Sequence, residues 1–207
     1  MNTTYNHLAG QSIERLTALS DGIFGVAMTL LLLQLNIPDK SRIFSESDLL
    51  HALAKMTPDL LVYLMSFITL GIFWVGQQVQ FKLLKRSDRH LTWINLAFLF
   101  AVTILPFSTR LLASFINERT ALLVYWSNLF LLGFLLYACW GYMRRAHLMK
   151  DDISDETQAA ICRRILSAQS LYAFGAALCI FSTYWSIGFI VLIQLNYAIA
   201  PGFRHRT

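Results

Sequence analysis

The stretch RLTALSDGIFGVAMTLLLLQLNIP, Arg15 to Pro38, decides the fold. From Gly22 to Pro38 it carries no charge, and Arg15, Ser20 and Asp21 stand at its head. At 1.5 Å per residue, about 20 apolar residues cross a hydrocarbon core of about 30 Å, so the stretch reads as a membrane-spanning helix. Ionisable groups kept at the mouth of such a helix are costly; they face protein or water and mark a pathway by default. Plainer roles stand beside that one. Ser20-Asp21 would serve as a helix N-cap, and Arg15 as an anchor with its stem in lipid and its head in water.

The rest of the chain agrees with lipid as the solvent. Its 207 residues are 56% hydrophobic and only 14% charged, where a soluble domain carries about 25% charged residues. The net charge of +5 fits membrane topology, and with no basic patch set in a soluble fold no nucleic-acid partner is expected. The opening residues MNTTYNHLAGQSIERL lack the basic start, short apolar core and small-residue cleavage site of a signal peptide, so the first span is expected to be retained. Cys139, Cys162 and Cys179 have neither CxxC spacing nor a neighbouring His pattern. They read as small apolar fillers, with no disulfide framework, no metal site and no cofactor.

Span one runs from about Thr17 to Ile37, where Pro38 stops it; further spans cover about Pro58–Val79, Trp93–Ala113 and Thr120–Met143. From Ile165 to Phe203 there is no Lys, Arg, Asp or Glu. A single helix of that length would reach about 58 Å, twice a bilayer, so the run must fold back. The polar, aromatic Ser182-Thr183-Tyr184-Trp185-Ser186 is the place, giving spans of about 165–181 and 186–199. The expected fold is an all-α membrane protein, one six-helix transmembrane domain over residues 1–207. Lys82, Lys85, Arg86 and Arg89 follow span two, and Arg144, Arg145, Lys150, Arg163 and Arg164 follow span four. With Arg15, Arg204 and Arg206 they fall on one side. Basic loops stay inside, so a multi-pass protein of the cell membrane is expected with both termini cytoplasmic. Asp39–Thr57 is expected to carry a short surface helix, and the acids Asp151, Asp152, Asp155 and Glu156 to open a solvated helix.

On a helical wheel Val26, Thr29, Leu30 and Leu33 fall along one stripe of span one. Gly22, Gly25 and Ala27 are small and permit close helix approach. Two readings of the stripe compete. It is a packing seam with Thr29 bonded back to its own helix, or it lines a pore where several subunits meet. In the second case rings of Val and Leu gate by dewetting and the Thr hydroxyls give an ion a polar foothold.

RLTALSDG resembles the R-x-x-x-F-S-D motif of the transmembrane protein 175 family of potassium channels: Arg15, Ser20 and Asp21 match, and Leu19 replaces Phe. In span three, WINLAFLFAVTILPFSTRLL is similar to the family's W-x-N-L-x-F-L…L-P-F-x-T-x-L-L pattern, through Trp93, Asn95, Leu96, Phe98, Leu99, Leu105, Pro106, Phe107, Thr109, Leu111 and Leu112. In FWVGQQVQF, Gln77 and Gln78 replace a His pair found in many relatives. The resemblance implies a six-helix subunit forming a homotetramer around span one, permeated by K+ and without a TVGYG filter; none occurs in this sequence. It implies a hydrophobic constriction at Val26, Leu30 and Leu33 with Thr29 as the polar layer. Arg15, Ser20 and Asp21 would tie the base of span one to neighbouring helices, with Trp93, Asn95 and Pro106 as motif partners. Val26 is smaller than the Leu or Ile usual at its position.

Gln34, Asn36, Asn128, Gln194 and Asn196 read as hydrogen-bond glue between helices, and Pro106 as a kink or hinge in span three. His90 and His147 sit in basic loops and read as solvated, and His7, His51 and His205 show no ligand spacing. With no HExxH, no GxSxG and no paired intramembrane acids, no enzyme is expected. A potassium-permeable cation channel, a secondary transporter and a non-conducting membrane scaffold remain as functions. The transporter is disfavoured by the want of paired half-repeats and of a charged midplane site.

Overall fold

The computed structural model describes residues 12–199; His7, Arg204, His205 and Arg206 lie outside them. The described residues form seven α-helices: α1 (Ile13–Leu32), α2 (Glu46–Lys55), α3 (Thr57–Lys82), α4 (Arg89–Ser114), α5 (Arg119–Arg145), α6 (Asp155–Ala177) and α7 (Thr183–Ile199). Single 3-10 turns sit at Lys40–Arg42 and Leu178–Ile180. Four of the helices, α1, α3, α4 and α5, are long and apolar enough to cross a membrane.

Helix α1 begins earlier than its apolar run because Ser12 Oγ accepts from the Arg15 N–H at 3.2 Å and caps it. Ser20 and Asp21 therefore lie well inside the helix, and their N-cap reading falls. The far end also differs from expectation. Pro38 disfavours the α conformation at Ile37, but the helix stops before that, at Leu32. Two tight turns close it, Gln34 N–H to the Leu31 carbonyl and Leu35 N–H to the Leu32 carbonyl, both at 3.1 Å. Leu33 is the C-cap residue.

Helix α2 is the short helix expected between the first two spans, capped by Ser45. Helix α6 starts at Asp155, with Ser154 Oγ accepting from Thr157 N–H at 3.2 Å. Its first turns thus take in the charged run through Arg164 that precedes the fifth apolar span. The chain reverses over Leu178–Ser182, and Thr183–Ser186 is already the start of α7. Ser186 Oγ donates to the Gly175 carbonyl at 2.6 Å and clasps the hairpin. A Cβ on Gly175 would meet Ile190 Cγ1 at 3.0 Å, so glycine sets how closely α6 and α7 approach.

Helix α4 is the centre of the bundle, packed against α5, α1 and α3, while α7 covers the other side of α3. Phe24, Leu31, Val62, Met65, Phe98, Leu105, Leu122, Leu129 and Ile190 belong to one buried apolar cluster. Lipid is as apolar as this cluster, so its close packing and the polar contacts inside it, rather than escape from water, hold the helices together. Such contacts join α3, α4, α5 and α7. Thr109 and Ser66 hydroxyls lie 2.8 Å apart, Ser66 and Tyr125 3.3 Å, Tyr125 and Thr69 3.2 Å. Gln194 Nε2 donates to Thr69 Oγ1 at 2.6 Å.

At one end of the bundle the loops after α3 and α5 are stitched together. Leu84 and Met149 form an antiparallel bridge, Lys150 N–H donates to the Leu83 carbonyl at 3.0 Å, and Lys85 Nζ donates to Asp151. That hydrogen bond, and then the lysine charge, hold the Asp151 carboxyl below its ordinary 3.8. The pair's contribution is thus present above the ordinary carboxylate range and is lost only as pH falls through the lowered value.

Candidate ion pathway and the network behind it

Helix α1 presents two faces. Leu16, Ser20, Phe24, Ala27 and Leu31 are buried against α3 and α4. The other face is bare: Val26 is 59% exposed, Leu30 40% and Leu33 76%. Thr29 lies among them, its hydroxyl donating to the Val26 carbonyl at 2.8 Å. That bond satisfies the proton and leaves oxygen lone pairs directed away from the helix. Val26, Thr29 and Leu30 are thus one exposed stripe of a regular helix, and Leu33 extends it from the cap.

Behind the stripe, three helices are tied by a polar network. Asp21 Oδ1 accepts from Trp74 Nε1 and from Gln78 Nε2, each at 2.7 Å. On the adjoining face of α3, Gln77 Nε2 donates to Asn95 Oδ1 of α4 at 2.6 Å. Asn95 Nδ2 in turn donates to Ser20 Oγ at 3.4 Å, and Ser20 Oγ donates to the Leu16 carbonyl at 2.9 Å. Gln77 Oε1 is buried without a partner. The two glutamines standing where many relatives have histidine therefore still bridge helices, one to each arm of the motif, with side chains that do not titrate.

The network gathers Ser20, Asp21 and Asn95 but not every residue singled out in the sequence. Arg15 is exposed and has no side-chain hydrogen bond or ion pair among the described residues. Trp93, 62% exposed, faces out of the subunit. Pro106 is buried within α4, which runs through it as one helix. Asn128 of α5 supports that place. With its amide oriented to suit its neighbours, it donates to the Ala101 carbonyl at 3.1 Å and accepts from Leu105 N–H at 3.1 Å and Ser108 Oγ at 3.2 Å. Helices that carry proline in a membrane regain freed backbone groups from neighbours in this way. Trp74 and Gln78 were not marked as partners of Asp21 by the sequence reading. The one available signal was their i, i+4 spacing, which puts both on one face of α3.

The described residues bring together no cluster of His, Cys, Asp or Glu able to hold a metal ion. The arrangement is one long helix locked on its inner face and left open, apolar and threonine-bearing on its outer face. Such a subunit defines an α-helical membrane protein with one apolar helix face left uncovered.

Comparison with known proteins places it more closely. Residues 15–106 match the family described as endosomal/lysosomal potassium channel TMEM175. A potassium channel of Streptomyces collinus is 31% identical over 72% of this chain and 73% of its own length. One from Chamaesiphon minutus is 28% identical over 89% of this chain and 93% of its own. The crystal structure of a lysosomal potassium-selective channel TMEM175 homolog from Chamaesiphon minutus superposes with a TM-score of 0.77, at 27% identity, over 91% of this chain and 97% of that one. The chain belongs to the TMEM175 family. That family consists of ion channels and not of enzymes.

Proposed function

We propose that this protein is a potassium-permeable cation channel of the cell membrane, with α1 of each of four subunits arranged around a central passage. The observation that carries the reading is the bare stripe Val26, Thr29, Leu30 and Leu33 on the helix that also holds the family motif. In a subunit crossing the membrane, an apolar face left uncovered beside a face fixed by Asp21 and Ser20 is available to its counterparts in other copies. Helices α6 and α7 complete six crossings per subunit, and the basic loops put both termini on the cytoplasmic side. K+ passes the aliphatic rings when they are wetted, and the Thr29 oxygens give it one polar layer.

Recordings from the purified protein in planar bilayers test this. The current should reverse at the potassium equilibrium potential, at unitary rates beyond those of a rocking carrier. Val26→Ala and Leu33→Ala should each widen the passage and lower the potassium-over-sodium permeability ratio. Unchanged ratios in both would make the stripe a packing seam. Slow, saturable flux would point to a secondary transporter, and silence under all conditions to a scaffold.

A further inference from the structure

A groove of about 590 Å³ runs between α1, α3 and the last turns of α7. Its walls are apolar, with Met28 and Phe67 among them, and it takes in Gly25 and Gly71. Nothing stands within 4 Å of where a Cβ on either glycine would lie. Asp21 and Arg164 also line it, and among the described residues each lacks an ion-pair partner. Arg164 is held over the Tyr197 ring, 5.6 Å from its centroid. Both hydrogen bonds to Asp21 end on Oδ1, which leaves Oδ2 open to a donor.

One cation and one anion on a groove that is otherwise hydrocarbon call for a ligand with both signs at one end and an apolar tail. We propose that the groove binds phosphatidylethanolamine. Its phosphodiester pairs with the Arg164 guanidinium, and its primary ammonium donates to Asp21 Oδ2. One acyl chain lies over Gly25 and Gly71, along the about 12 Å of α3 between Phe67 and Val75. Phosphatidylcholine has no N–H to give Asp21. Phosphatidylglycerol has no cation, and its net charge meets that carboxylate unfavourably. Arginine suits the phosphodiester because its planar fork donates two bonds at once. The proposal rests on reading these helices as membrane spans, and it ties a lipid headgroup directly to the residue that anchors α1.

Native mass spectrometry of the intact purified assembly, after exchange into mixed micelles of each lipid, reads the retained lipid directly. Phosphatidylethanolamine should be retained in preference to both other lipids. Arg164→Gln, an exposed position, should lower that retention about tenfold, the factor a lost charged hydrogen bond carries. Gly71→Leu, which fills the groove, should abolish it. Equal retention of the three lipids, preference for phosphatidylglycerol, or retention unaffected by Arg164→Gln would overturn the proposal. So would efficient disulfide cross-linking of Gly71→Cys to a partner subunit, which would show protein in the groove. Lipid retention is measured independently of current. A conducting protein that ignores phosphatidylethanolamine sinks this proposal alone, and a silent one that retains it sinks the channel reading alone.

Discussion

Asp21, with two neutral donors on one oxygen, and Asn95, passing a hydrogen bond from Gln77 to Ser20, are the residues that fix how α1 sits. Because Gln77 and Gln78 carry these bonds, the tie does not respond to protonation of those side chains. Gln78→His should create such a response. A protonated imidazole pairs with the Asp21 carboxylate more strongly than the amide does, and a neutral one no more strongly. The thermal midpoint of the variant, relative to the native protein, should be higher at acid than at alkaline pH; a flat difference would refute direct contact with Asp21. That Ser20 and Asp21 matter is legible in the sequence from their place at the mouth of an apolar run, whereas Asn95 stands out only through the resemblance of span three to the family pattern. Which atoms meet is not legible, since the pairing depends on the relative rotation of α1, α3 and α4. Trp74 illustrates the limit. A tryptophan in an apolar span suits an interfacial anchor equally well, yet the indole N–H of this one is spent on Asp21.

At the scale of the element, α4 is both the most buried of the crossing helices and the one with proline inside it. Its continuity through Pro106 depends on Asn128 bridging the Ala101 carbonyl and the Leu105 N–H. Asn128→Leu leaves both groups without that partner and should lower stability by about 1–2 kcal/mol, read as a shift in thermal unfolding in detergent. Adding Pro106→Ala restores a backbone donor and should recover part of the loss, a coupling that a double-mutant cycle measures. No recovery would show that the proline and Asn128 act independently. In the sequence a kink or hinge at Pro106 and inter-helix glue at Asn128 read as separate features. Their union escapes it because the two residues sit on different helices, and only the packing of α5 on α4 makes one serve the other. Helix ends were likewise less readable than helix cores. Ser12 draws α1 forward to Ile13, and two tight turns end it at Leu32, effects of single hydrogen bonds beneath the grain of hydropathy.

For the whole molecule, the order of the four long apolar helices and the presence of a reversal in the last apolar run follow from composition, but the reversal falls at Leu178–Ser182 and not at the expected Ser182–Ser186. The helix-joining polar ladder does not follow from composition, because Ser66, Thr69, Thr109, Tyr125 and Gln194 are scattered over four helices and read singly as unremarkable. Gln194→Leu removes the hydrogen bond between α7 and α3 and should cost about 1 kcal/mol in thermal unfolding. It should leave the reversal potential unchanged, since none of these residues belongs to the stripe on α1. A shifted reversal potential would instead place α7 in the conduction path.

The Gln194–Thr69 bond has a temporal consequence. Its two ends are 125 residues apart, so until α7 has been made and inserted Thr69 has only the Met65 carbonyl and the Tyr125 hydroxyl as partners. A nascent chain stalled before α7 would keep that side of α3 unsheltered and open to membrane proteases.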